Sequence, residues 1–251
     1  MTGLALGPGS SATLTLGGSG AVRTETLAMH NTATLDLNQN ALITGADKTT
    51  VQTLVRAARH NGAWDQPGIT STTARNHPSH STTLGILSGA EYSSVGGNGT
   101  LAGQAYAPGD TLVKYTYYGD TDLNGRVNFD DYVRIDNGFN NHLTGWLNGD
   151  LDLNDQVNFD DYVLADLAFN TQNGTLGRAL SYLDGSDRSA SGMRDDAALM
   201  KVQQHVAEFG NDYAEHFLSA VPEPTALAVA GVVSSMTMLA RRRSRRHSHR
   251  S

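Results

Sequence analysis

The chain has 251 residues, a formal net charge of −7, 39% hydrophobic residues, 27 glycines and no cysteine. The lack of cysteine excludes disulfides, thiolate metal sites and cysteine nucleophiles, and the glycine-rich composition favours strands and turns over a helical enzyme core. All 25 acidic residues but only 12 of the 18 basic ones precede Pro224; so acidic a body repels nucleic acid, whose affinity rests on neutralised phosphates, and suits metal cations.

The first 18 residues, MTGLALGPGSSATLTLGG, hold neither a basic stretch nor a continuous apolar run, so they do not read as a secretory signal. Residues 11–16 (SATLTL) recur as residues 32–37 (TATLDL), 21 positions on. The alternation of Leu14 and Leu16, then Leu35 and Leu37, predicts strands with one buried face. A period near 20 with Gly-rich turns points to rungs of a β-solenoid, and a β-sandwich edge would carry the same pattern. Residues 1–117 are thus expected to form a β-rich region. Within it, Val51, Leu54, Val55 and Ala58 fall on one face of a short helix over 49–58, ended by Asn61-Gly62. A turn-rich stretch follows, and TLVKYTY predicts a strand over Thr111–Tyr117.

His77 and His80 read as surface loop histidines, because Pro78 lies between them and no third ligand is near. Among catalytic motifs there is no G-x-S-x-G elbow, P-loop or H-E-x-x-H. Glu occurs only at 25, 91, 208, 215 and 223, without an evident pair of the kind a glycosidase needs. The chain is therefore expected not to be an enzyme; a hydrolase would require carboxylates converging in a cleft of the β-rich region.

Two segments, 119–139 (GDTDLNGRVNFDDYVRIDNGF) and 149–169 (GDLDLNDQVNFDDYVLADLAF), agree at 14 of 21 positions and mark a duplication. Each contains a 12-residue loop that presents oxygen ligands at positions 1, 3, 5, 7, 9 and 12, the pattern of a calcium loop. In the first these are Asp120, Asp122, Asn124, Arg126 (through its carbonyl), Asn128 and Asp131. In the second they are Asp150, Asp152, Asn154, Gln156, Asn158 and Asp161. Three carboxylates per loop repel one another until a cation intervenes, so binding of about two Ca2+ ions is expected to couple to folding. Position 6 needs a left-handed residue; Gly125 adopts this freely, whereas Asp155 does not, and the second loop is expected to be the weaker. Val127 and Val157 at position 8 are expected to point inward and join the loops by a short β-bridge. The segments FDDYVRIDNGF and FDDYVLADLAF start helices whose apolar faces include Val133, Phe139, Val163, Leu167 and Phe169.

These repeats resemble the type I dockerin, which has two loop–helix units and lacks the leading helix of a full EF-hand; the likeness covers about residues 118–170. It implies a small α module at 118–171 and a cohesin-like partner, within a family tied to polysaccharide breakdown. Contact with a cohesin falls near the start of each helix, where Ser or Thr is common and this chain has Phe-Asp-Asp-Tyr in both copies.

Residues 173–183 and 195–217 are expected to be helical, with Val202, Val206, Phe209, Tyr213 and Phe217 on one face and a break at Gly210. They form a helical segment over 172–220. In the tail, Val221, Pro222, Glu223 and Pro224 precede an uncharged apolar run (225–240) and then RRRSRR. Sixteen helical residues reach about 24 Å, short of a typical bilayer core but rescued by snorkelling arginines. This order resembles the PEP-CTERM sorting signal of Gram-negative bacteria, cut by an exosortase near the Pro-Glu-Pro. The resemblance implies a signal over 221–251, a transmembrane helix at 225–240 that anchors the chain transiently in the inner membrane, and a destination at the cell surface or outside the cell. Because such cargo normally carries an N-terminal signal, Met1 is expected to be a truncated or misassigned start of a longer exported protein. The β-region is similar to passenger-like repeat arrays of planctomycete-type surface proteins.

The whole is thus expected to be a mixed, multi-part chain. A β-rich solenoid-like or sandwich region leads into a small α dockerin-like pair, a short helical segment and a C-terminal transmembrane helix. The expected function is that of a non-catalytic, calcium-binding surface or matrix protein. The alternative is an anchoring component of a cellulosome-like assembly.

Overall fold

A computed structural model of the chain describes residues 2–16, 19–189 and 191–221. Met1–Ala220 form one compact unit. The chain opens with two coils of short parallel strands. Strands β1 (Gly3–Leu6), β2 (Ser11–Thr13) and β3 (Ala21–Thr24) make the first coil, and β4 (Thr26–Met29), β5 (Thr34–Asp36) and β6 (Ala41–Thr44) make the second. Each strand of the first pairs in parallel with its counterpart in the second: β1 with β4, β2 with β5, β3 with β6. The register is Ser11 to Thr34, two residues beyond the sequence repeat; a two-residue offset keeps every side chain on its face.

Helix α1 (Lys48–Arg59) then crosses this stack. Asp47 caps it by accepting the Thr50 N–H, and His60 ends it in a left-handed conformation. Its Val51, Val55 and Ala58 are fully buried, as is Leu35 of the second coil; each such Val or Leu contributes about 1.5–3 kcal/mol of burial. Strand β7 (Gly68–Thr70) adds a third parallel rung beside β5. After α2 (Thr72–Arg75), β8 (Thr82–Ser88), α3 (Gly89–Ser94) and the hairpin of β9 (Thr100–Leu101) and β10 (Gln104–Ala105), strand β11 (Thr111–Tyr117) closes the region. It runs antiparallel between β6 and β8, giving a sheet of order β3-β6-β11-β8.

The C-terminal part is helical: α4 (Phe129–Asn141), α5 (Phe159–Asn173), α6 (Leu176–Leu183), α7 (Ala197–Phe209) and α8 (Asn211–Ala220). Asp196 caps α7, and Gly210 separates α7 from α8 as the sequence predicts. Tyr213 and Phe217 are buried, and Phe209 stacks on Tyr162, Phe139 and His205.

Two expectations about fold class need correction. The described residues form a mixed α/β structure with eight α-helices and several small sheets, and not a β-rich domain followed by a separate small α pair. Helices α2 and α3, of four and six residues, lie inside the β-rich stretch; elements of one turn carry no 3.6-residue periodicity for a sequence reading to detect. The expected C-terminal transmembrane helix is likewise not upheld: among the described residues no helix is long and apolar enough to cross a membrane. Residues 225–240, with Pro222, Glu223, Pro224 and the arginine cluster, lie outside the described residues.

Candidate metal centre

Each loop is built from its own backbone outward. In the first, Asp120 Oδ1 accepts the Asn124 N–H and Asp120 Oδ2 accepts the Gly125 N–H. Asp131 Oδ1 accepts the Thr121 N–H and hydroxyl, and Oδ2 accepts the Asn128 N–H. Asn128 in turn takes the Asp130 N–H, so loop positions 9 and 12 also form the capping box that starts α4. The second loop repeats this: Asp150 Oδ2 accepts from Asp155 N, Asp161 Oδ2 from Asn158 N, and Asn158 with Asp161 cap α5.

This folding brings three carboxylates of each loop together. Asp120, Asp122 and Asp131 offer oxygens all within 4.8 Å of one another, and so do Asp150, Asp152 and Asp161. Five of the six residues are buried, and Asp152 is half-buried. The structure thus holds two acidic triads that can each take a metal ion. Asn124 and Asn154 are spent on their own turns, accepting the N–H of Arg126 and Gln156, and are exposed.

Electrostatics support a cation in these sites. Burial pushes the Asp131 carboxyl up to about 6 and that of Asp161 up to about 8. Burial raises Asp120, Asp150 and Asp152 in the same direction. Neighbouring carboxylates add to the rise: Asp122 acts on Asp131, and Asp152 and Asp150 on Asp161. Asp150 Oδ1 is buried without any hydrogen-bond partner. Such an atom costs about 1–3 kcal/mol unless something binds it. The oxygen-only donor set fits a hard cation, and the orphaned oxygen belongs to one of the three carboxylates that would hold it.

Position 6 is left-handed in both loops, Gly125 at φ +94° and Asp155 at φ +71°. Asp155 is held there with its carboxylate on Arg56 at 2.7 Å. Position 4 is left-handed too, as Leu123 (φ +59°) and Leu153 (φ +63°), a conformation that costs a leucine about 1–2 kcal/mol. Sequence reasoning did not mark these leucines; both side chains are buried, and packing holds the backbone where it would not go freely.

Val127 and Val157 are buried as expected, but no β-bridge joins them. Gln172 takes that role for the first loop: its side-chain amide donates to the Val127 carbonyl and accepts the Val127 N–H, both at 3.0 Å. Val133 also departs from expectation. It is exposed on α4, while its counterpart Val163 is buried.

Three features of the surroundings carry no sequence signal of their own. Trp146 is buried and donates from Nε1 to the Asp120 carbonyl at 2.9 Å. Lys114 of β11 donates to the Leu123 carbonyl at 2.5 Å. Gly85 of β8 leaves room for both Leu123 and Trp146, since a Cβ there would lie 2.8 Å from the indole. Elsewhere, Arg59 donates to the Tyr118 hydroxyl at 2.8 Å.

No protein-family model matches the chain, and no curated protein or solved structure matches it either.

Proposed function

We propose that the paired loops bind two calcium ions and that the chain is a non-catalytic, calcium-stabilised structural protein. The observation that carries this reading is the buried, partnerless Asp150 Oδ1 inside a triad of oxygen donors. Calcium takes 6–8 oxygen ligands, and loops of 12 residues with Asp or Asn at positions 1, 3, 5 and 9 supply several of them. The chain's own groups do the remaining work. Backbone N–H groups orient each carboxylate, and the capping boxes fix positions 9 and 12 on rigid helices. Export and exosortase sorting belong to the same proposal and rest on the order of Val221, Pro222, Glu223 and Pro224 before the apolar and basic stretches of the tail. Outside a cell, calcium is plentiful enough to keep such loops filled.

Calorimetric titration of the full chain tests the metal reading. About two calcium ions should bind, and Asp150→Ala should remove one. A titration without calcium-dependent heat, at concentrations up to several millimolar, sinks the proposal.

The alternative, an anchoring component that docks on a cohesin-like partner, is favoured by one observation. Phe129 and Val133 at the start of α4 are 73% and 47% exposed, where the dockerin resemblance places partner contacts. The second copy differs, because Phe159 rests against Phe209 and His216, with centroids 6.2 and 5.0 Å away. Affinity capture with and without chelator separates the two readings: a cohesin-type partner held only with calcium supports docking through α4.

A further inference from the structure

The repeat places Arg134 and Leu164 at the same position, three residues after the closing aspartate of each loop. Arg134 turns its guanidinium onto the first triad. Its Nη1 donates to Asp131 Oδ1 at 3.2 Å and to Thr121 Oγ1 at 3.1 Å, and lies 3.4 Å from Asp122 Oδ2. Two of the three carboxylates there already hold a positive charge that belongs to the chain.

The second triad has no such neighbour. Among the described residues, no Lys or Arg nitrogen forms an ion pair with Asp150, Asp152 or Asp161, and Asp150 Oδ1 has no partner at all. Arg59 donates from Nε to the Tyr118 hydroxyl and makes no ion pair with the triad. Arg56 is drawn off to Asp155 at the outer edge.

We infer that Arg134 competes with the metal for the first loop, so that the second loop fills first and the first fills only at higher cation concentration. The inference rests on the metal-binding reading above. A divalent ion must displace the guanidinium from Asp131 and Asp122 before it can take their oxygens, whereas in the second loop it meets an oxygen that nothing occupies. The side chain of Arg134 is 24% exposed, so water screens the contact and gives the arginine a route out. It weakens the site without closing it. The strain of Asp155 does not reverse this order. That residue is already left-handed in the folded loop, so its cost falls on folding and not on binding.

The test is calcium titration of the full chain by calorimetry, with Asp150→Asn and Asp120→Asn assigning the steps. Two steps are expected, the tighter lost in Asp150→Asn and the weaker in Asp120→Asn. Arg134→Leu, which gives the first loop the residue of the second, should tighten the weaker step by up to about fivefold, the upper end for a part-exposed charged contact. Arg134→Gln should do the same while keeping a polar side chain, should the leucine variant misfold. Arg134→Lys should leave the steps apart. Calcium binding with two equal steps, with the tighter step lost in Asp120→Asn, or with a weaker step unmoved in both the leucine and glutamine variants, overturns the competition by Arg134 and leaves the metal reading standing. No calcium binding at all overturns both.

Discussion

The hydroxyl of Tyr132 on α4 donates a hydrogen bond to the buried carboxylate of Asp166 on α5. Its repeat counterpart, Tyr162 on α5, donates back to Asp136 on α4 at 2.7 Å. The two pairs are related by the duplication: each copy supplies a tyrosine and, four residues later, an aspartate for the tyrosine of the other. Gly119 lies against Ala165 and Gly149 against Ile135 in the same reciprocal manner. The helices are therefore locked by a local two-fold exchange. The tyrosine of Phe-Asp-Asp-Tyr serves that lock and does not face a partner. The exchange is unequal: Asp166 is fully buried and also accepts from His205 and Tyr213, each at 2.5 Å, while Asp136 is half-buried.

Removing one donor tests that inequality. Tyr132→Phe leaves an oxygen of a fully buried carboxylate without its donor, and should cost about 1–3 kcal/mol. Tyr162→Phe frees the half-buried Asp136, which water can reach, and should cost about 0.5–1.5 kcal/mol. Denaturant midpoints of the two variants check this; an equal or reversed order would contradict it.

Metal removal should lower stability markedly. An ion that binds only the folded chain stabilises it by about 2.7 kcal/mol at a concentration of 100 Kd. Addition of a chelator is expected to lower Tm, and excess calcium to restore it. Asp161→Asn should reduce the calcium-dependent part of the shift. Thermal unfolding with calcium, magnesium and chelator is the measurement, and an identical Tm in all three would count against any bound ion.

The pH dependence follows from the raised carboxylates. Burial lifts Asp131 to about 6 and Asp161 to about 8, against an ordinary 3.8. A raised pKa means that the folded, metal-free chain holds these protons more tightly than the unfolded one. That stabilisation is fully present below the ordinary value and is lost as pH rises through about 6 and then 8. In chelator, the denaturant midpoint should fall from pH 5 to pH 8. Calcium affinity should rise over the same interval, because the ion requires the ionised form. Asp131→Asn and Asp161→Asn should each flatten the slope in chelator.

Gly138 sits where a Cβ would strike the Asn148 carbonyl oxygen directly, with Val157 close behind. Asn148 belongs to the link between the loops and Val157 to the second loop itself, and a backbone carbonyl cannot rotate away. Gly138→Ala should cost about 1–3 kcal/mol, although alanine favours a helix by up to about 1 kcal/mol. Gly177→Ala on α6, which meets nothing within 4 Å, is the control and should be neutral or stabilising.

Much of the metal region was legible, because spacing alone brings Asp120, Asp122 and Asp131 around one point and the repeat doubles the signal. The alternating leucines were a weaker guide: Leu35 and Leu37 are buried, whereas Leu14 and Leu16 lie past the end of β2 and Leu16 is exposed. The approach of Lys114 to the Leu123 carbonyl, the occupancy of Val127 by Gln172 and the meeting of His205 with Asp166 were not legible. Each joins residues at least 9 positions apart, and no local period records such a contact. Val202, Val206 and Phe209 disclosed the apolar face of α7, whereas nothing in the spacing marked His205 beside them as buried. It is buried because Asp166 is there to receive it.

The dimple that Gly85 leaves in β8 has a consequence for anyone who would transplant the loop pair. Leu123 and Trp146 rest in that space, on a strand that lies well upstream of the loops. A fragment cut at Tyr118 would leave the indole and the leucine exposed to water and deprive the Leu123 carbonyl of Lys114. The loops are therefore no portable cassette: grafted onto another protein, they would need a foreign sheet with a similar dimple and a similarly placed lysine.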